Sequence, residues 1–141
     1  MSGETSSCIF CRIVAGQVPA TKVYEDDAVL AFLDIGPVVK GHTLVIPKAH
    51  HDLMMQTPPD LLARMMAVAQ KIAQAQVAGL GAEGINILQS NGAVAGQEVP
   101  HVHLHVIPRF QDDGHRWNWS AQRYGSTADM HEWAERMRRV L

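Results

Sequence analysis

His101-Val102-His103-Leu104-His105-Val106-Ile107, followed by Pro108, alternates imidazoles with aliphatic side chains. That alternation is the period of a β-strand, whose successive side chains point to opposite faces. Val102, Leu104 and Val106 then face a core. His101, His103 and His105 share the other face, spaced roughly 6.8 Å apart along the chain. Two adjacent protonated imidazoles at that spacing repel by about 2.4 kcal/mol at an effective dielectric of 20, almost two pKa units. Most of the row is therefore neutral near pH 7. A neutral imidazole offers one donor and one acceptor nitrogen, so a row of them can pass one hydrogen-bond direction along the face and fix which nitrogen is bare. Such a nitrogen serves as a nucleophile, a general base or a metal ligand.

The rest of the chain supplies partners for this strand. Residues 22–25 and 29–33 read as strands around the Asp26-Asp27 turn, 42–46 as a third strand closed by Pro47, and 85–88 as a fourth. Strands this close in sequence pair antiparallel. Residues 8–14 carry Ile9, Phe10, Ile13 and Val14 at near-helical spacing, ended by Gly16. A long helix is expected from Thr57 as its cap, Pro58 in its first turn and Asp60 at the positive end of the dipole. Leu62, Met65, Met66, Ala69, Ile72, Ala73 and Val77 form its apolar stripe, and Gly79 and Gly81 end it. Met54, Met55, Met65 and Met66 read as core filler or a subunit contact. Residues 128–141 form a last helix, with Asp129 early and Arg136, Arg138 and Arg139 late. The expected fold is α+β: an antiparallel sheet of about five strands, one long helix, a short N-terminal helix and a C-terminal helix. Residues 1–7 read as a mobile tail and 8–141 as one domain, with 111–141 a C-terminal segment beyond the motif-bearing core.

The chain has 141 residues, 12 Lys+Arg against 14 Asp+Glu, and a formal charge of −2; at 47% hydrophobic and 18% charged it is globular, not disordered. Without a basic stripe it is a poor partner for duplex nucleic acid, and no apolar run approaches the ~20 residues of a membrane span. The first seven residues lack the basic region and apolar core of a signal peptide, so a cytoplasmic location is expected. Cys8-x-x-Cys11 is a poor disulfide framework and a possible half-site for zinc. Residues 90–97 (Ser-Asn-Gly-Ala-Val-Ala-Gly-Gln) form a small-residue loop where backbone can approach a ligand.

The histidine strand resembles the motif of the histidine triad (HIT) superfamily, His-φ-His-φ-His-φ-φ with φ apolar. Further segments are similar to the family's in the family's order: Cys8-Ile9-Phe10-Cys11-Arg12-Ile13, Glu25-Asp26-Asp27, Phe32-Leu33-Asp34-Ile35, Gly41-His42-Thr43-Leu44-Val45-Ile46-Pro47-Lys48-Ala49-His50 and Ala95-Gly96-Gln97-Glu98-Val99. The resemblance covers residues 8–110 and is nearest to the Hint-type and bacterial members, which are homodimeric nucleotide hydrolases or nucleotidyl transferases. It implies covalent catalysis in which His103 attacks the α-phosphorus of a nucleoside 5′-phosphoramidate, or a related conjugate, and water then releases the nucleoside monophosphate, AMP being favoured. His105, His42 and His101 would support His103. Asp34 would receive the ribose hydroxyls; Ile9, Phe10, Ile13, Phe32, Leu33 and Ile35 would form the base slot. Gln97, with Asn91 and the amides of Gly96, Glu98 and Val99, would donate to phosphate. The resemblance also implies a structural zinc held by Cys8, Cys11, His50 and His101.

Three departures from the phosphoramidase branch bear on the substrate. Glu98 stands where a small hydroxyl residue is usual, Ser90 replaces a common asparagine, and a Trp-Pro-Pro-Gly segment is absent where Trp117-Asn118-Trp119 occurs. Other readings are a dinucleoside polyphosphate hydrolase, a nucleotide-binding regulator, and a metal-dependent hydrolase using His42, His101, His103 and His105 as ligands.

Overall fold

Asp26 makes the first reversal. Its Oδ1 accepts from the amides of Ala28 and Val29, both at 2.8 Å, and its Oδ2 from the Tyr24 hydroxyl at 2.9 Å. The chain therefore folds back between β1 (Lys22–Glu25) and β2 (Val29–Leu33). The structure, a computed structural model, describes residues 7–141; the tail expected over 1–7 lies outside them except for Ser7. With β3 (Thr43–Pro47), β4 (Gly84–Leu88) and β5 (Leu104–Arg109), the strands form one sheet in the order β1-β2-β3-β5-β4, every neighbouring pair antiparallel. The helices are α1 (Ile9–Val14), α2 (Pro59–Leu80) and α3 (Thr127–Arg138). This is the expected α+β architecture.

The central strands are buried on both faces. Val29, Ala31, Val45, Leu104 and Val106 pack with Met65, Val68, Ala69 and Ile72 of α2, and Val102 joins them from the residues before β5. Leu30, Phe32, Leu44 and Ile46 point the other way and pack with Cys8, Phe10 and Ile13. The histidines thus lie on the α1 side of the sheet.

Several expectations about the elements are corrected. Thr57 does not cap α2: its hydroxyl donates to the Leu53 carbonyl, closing the preceding 3-10 turn, and Pro58 takes the cap position. Gly79 lies inside α2, and only Gly81, at φ +71°, ends it. The buried stripe is Met65, Val68, Ala69, Ile72 and Gln76; Met66 and Val77 are turned outward. Strand pairing starts at Leu104, three residues later than expected, because the Val102 amide donates instead to the carbonyl of His51. Pro108 does not end β5. It lies opposite Ile85, two residues past the last β3 pair (Thr43 opposite Val106), where one flank of the strand is no longer laddered. Gly41, just before His42, has φ +99°, a conformation that strains any side chain, and a Cβ there would also fall 3.1 Å from Pro108 Cγ.

Candidate active site and metal centre

His42 ends the 34–42 loop beside β3, and Leu44 pairs with His105 across the ladder, so the two imidazoles meet: His42 Nε2 lies 2.9 Å from His105 Nδ1. The direction of that bond follows from the backbone. The Val38 amide donates to His42 Nδ1 at 3.1 Å, so a neutral His42 carries its proton on Nε2 and donates to His105 Nδ1. His105 then carries its own proton on Nε2. His103 is set separately: its Nδ1–H donates to the His101 carbonyl at 2.7 Å, which leaves Nε2 bare. The His103 ring packs edge-on against His105 (centroids 4.9 Å apart) and against Phe10 (5.1 Å). The continuous relay along three strand histidines expected from the sequence is therefore replaced by two local devices, because residues 101–103 precede the paired strand.

Burial keeps the whole group neutral. It holds His42 and His103 below the ordinary histidine range and takes His101 and His105 down to about 4, the neighbouring His103 and His42 adding to the shift of His105. Asp34 stands at the edge of the row: Oδ1 accepts from Gly36 N at 2.8 Å and Oδ2 lies 3.7 Å from His42 Nε2. Asp34, His42 and His105 cluster closely enough to suggest a second cation site. The hydrogen bonds argue against it, since ligation through His42 Nε2 would put a proton on Nδ1, against the Val38 amide.

His101 turns away from this pair. Its Nδ1 lies 3.4 Å from Cys8 Sγ, 3.6 Å from Cys11 Sγ and 3.1 Å from His50 Nδ1, which is itself 3.2 Å from Cys11 Sγ. The four side chains converge as a cluster able to hold a metal ion, the set that the family resemblance implies. The outer bonds fix both rings: His101 Nε2–H donates to the Pro47 carbonyl at 2.8 Å and His50 Nε2–H to Asp52 at 2.7 Å. Both Nδ1 atoms are thus lone pairs aimed at one point: neutral Cys8 and Cys11 thiols can donate to them, and with the thiols ionised all four groups become donors to a cation. Burial and the adjacent Cys8 push the Cys11 thiol up to about 11, so ionising the pair also calls for positive charge. Two thiolates and two imidazoles fit zinc in a closed, structural site. His51 is not among the four. Asp52 was overlooked in the sequence although a carboxylate two residues after a ligating histidine was a readable signal; the Val38 amide left none.

The loop residues divide. Gln97 is not free to donate to a ligand: its Oε1 accepts from Gly92 N, and its Nε2 donates to the carbonyls of Asp52 and Val99. The Gly96 and Gln97 amides are spent on Ala93 and Gly92, while those of Glu98 and Val99 bond no other group among the described residues. Asn91 Oδ1 accepts from Met54 N, so Asn91 holds the loop to the turn before α2. Of the apolar residues, Phe10, Ile13 and Phe32 are interior, Leu33 is half-buried, and Ile9 and Ile35 are exposed. Trp117 Nε1 donates to Asn86 on β4, which Arg109 also contacts, whereas Trp119 is exposed.

Residues 15–112 match the HIT domain. The chain belongs to the HIT family. It is 51% identical to an uncharacterised HIT-like protein of Methanocaldococcus jannaschii over 107 residues, 76% of this chain and 82% of that one. It is 46% identical over 103 residues to an adenosine 5′-monophosphoramidase of Schizosaccharomyces pombe, 73% and 74% of the two chains. Among solved structures, a HIT family protein from Bacillus anthracis superposes with a TM-score of 0.89 at 42% identity, covering 96% of this chain and 97% of that one. A zinc-bound histidine triad protein from Mycobacterium smegmatis gives 0.77 at 43% identity, covering 93% and 98%. Nucleotidyl-histidine chemistry is thus plausible for this HIT protein on family grounds. No helix among the described residues is long and apolar enough to cross a membrane.

Proposed function

We propose that this HIT protein cleaves nucleoside 5′-phosphoramidates, adenosine forms above all, at the α-phosphate through a nucleotide bonded to His103. The observation that carries the reading is the bare Nε2 of His103, its tautomer held by the His101 carbonyl. In the first step the Nε2–P bond forms as the P–N bond breaks, and the leaving amine takes a proton from water. The ring gains positive charge, which strengthens its Nδ1–H bond to the carbonyl. His105 presents Nε2–H, and the loop presents the Glu98 and Val99 amides, as donors toward phosphoryl oxygens. Water then attacks phosphorus, loses its proton to solvent and releases the monophosphate with His103 neutral again. Asp34 receives the ribose hydroxyls. The exposed Glu98 repels a polyphosphate leaving group, which favours an amine. The sister activity of the fission-yeast relative supports the same choice.

Zinc in the Cys8, Cys11, His50 and His101 site is structural in this reading, and the protein is a homodimer joined through β4. The test is mass spectrometry of protein quenched after mixing with adenosine phosphoramidate. An AMP adduct on His103, missing from folded His103→Ala, is the expected result. Turnover by folded His103→Ala at the wild-type rate overturns the proposal.

A further inference from the structure

Gln76 is a polar side chain on the stripe where α2 meets the sheet, four residues after Ile72 and 3% exposed. Its Nε2 donates to two carbonyls, those of Gly41 and Val106, each at 3.0 Å. Gly41 directly precedes His42, and Val106 directly follows His105. The ladder places Thr43 opposite Val106, so both carbonyls lie where β3 and β5 cease to pair. The Thr43 hydroxyl donates to the Gly41 carbonyl as well, at 2.9 Å, but it reaches only β3's side of the junction. Gln76 alone among the described side chains bonds both backbones, one amide hydrogen to each carbonyl.

The other end of the same amide argues that this link is more than core filler. Gln76 Oε1 is buried with no hydrogen-bond partner among the described residues. Leaving a carbonyl oxygen unpaired in a core opposes folding, and an apolar side chain of the same size avoids that cost. What the amide contributes therefore lies in the two bonds of its nitrogen. We propose that Gln76 is a positioning residue: from the α2 face of the sheet it clamps the two backbones whose next side chains, His42 and His105, make the 2.9 Å imidazole bond on the opposite face. The clamp holds β3 and β5 in the lateral register that this bond needs. Its catalytic consequence rests on the function proposed above; its structural content does not.

Full-length Gln76→Met keeps the volume and removes both donors, and Gln76→Glu keeps the shape with at most one. Nitrogen-15 and proton spectra of the imidazoles read the clamp directly, without substrate. In the wild type, His42 is expected in the Nε2–H form with that proton slow to exchange. In folded Gln76→Met the proton exchanges at least roughly tenfold faster, reporting local opening of the pair. Its kcat then falls roughly ten- to a hundredfold, the scale of a sub-ångström to ångström misplacement, while KM stays within about twofold. Gln76→Glu falls between the two, and it decides the matter if Gln76→Met does not fold. Wild-type exchange in a folded variant, or faster exchange with wild-type kcat, overturns the proposal. If the wild type itself forms no nucleotidyl-His103, the functional reading fails while the exchange experiment still judges the clamp.

Discussion

His42 owes its tautomer to one backbone amide, that of Val38, and everything downstream in the His42–His105 pair inherits that direction. The pair must also stay unprotonated. His105 has its pKa depressed to about 4 and His42 is lowered too, chiefly by burial, whereas both sit near 6.5 in the unfolded chain. Between those values the unfolded chain binds more protons than the folded one. The stability the pair contributes is therefore present above about pH 6.5 and lost as pH falls toward 4. Asp113, held by Arg109 below the usual carboxylate range, loses its contribution at lower pH, beneath that window. Urea unfolding at pH 7, 5.5 and 4.5 should show stability falling less steeply in His105→Gln than in the wild type, and equal slopes would contradict the depressed pKa. At this level much was legible. The spacing of His101, His103 and His105 marked the strand on which the proposed chemistry rests, and resemblance named Cys8, Cys11, His50 and His101, which the structure brings together. The bonds Gln97 makes to the Asp52 and Val99 carbonyls were not legible, because residue type shows what a side chain can donate, not what its own loop already uses. Val38 acts through a group every residue possesses, so no pattern could mark it.

α1 is only six residues long, too short to hold as an isolated helix. Two things fix it: Phe10 and Ile13 packed against β2 and β3, and Cys8 and Cys11 turned toward His50 and His101. Cys8 is also its cap, Sγ accepting from Cys11 N at 3.4 Å. A cation bound by these four groups ties the helix to the start of the histidine strand, and Phe10 then bears on the His103 ring. Stripping zinc with a chelator should lower stability by about 4 kcal/mol relative to protein in free zinc at 1,000 times its dissociation constant. For a chain of this size that is roughly 10 °C in Tm. Amide exchange over residues 9–14 should rise first, and an unchanged Tm with unchanged exchange would contradict the metal centre. Strands β1 and β2 were legible to the residue because two short runs of strand-forming residues, Lys22–Glu25 and Val29–Leu33, flank the Asp26 turn. The α2 stripe was displaced because Met66 and Val77 share the hydropathy of core residues, and composition does not say which apolar side chain faces the sheet. Gln76 was missed for the converse reason: a glutamine on a helix ordinarily points to water.

The two edges of the sheet are unlike. β1 carries Lys22 and Glu25, ion-paired with each other, and Lys48 beside them; such charges discourage another strand from adding there. β4 offers no such protection. Ile87 and Leu88 are 44% and 38% exposed, and the neighbouring face of α2 adds Met66 and Val77 at 48% and 51%. Ala63, Ala67, Ala73 and Ile85 continue the same surface, with Gln70 among them, giving one largely apolar face that spans a helix and an open strand edge. A second copy apposed by a two-fold axis would cover strand with strand and helix with helix, which is why a homodimer through β4 belongs to the proposed function. The C-terminal segment leaves from this side too, Trp117 being anchored to Asn86 of β4, and α3 beyond it has no buried residue. Ile87→Lys places a charge in the middle of that face without touching the histidines. Sedimentation should shift from dimer in the wild type to monomer in this variant, with far-ultraviolet circular dichroism unchanged. A wild-type chain that sediments as a monomer at micromolar concentration, or an Ile87→Lys chain that remains a dimer, would remove β4 as the joining edge.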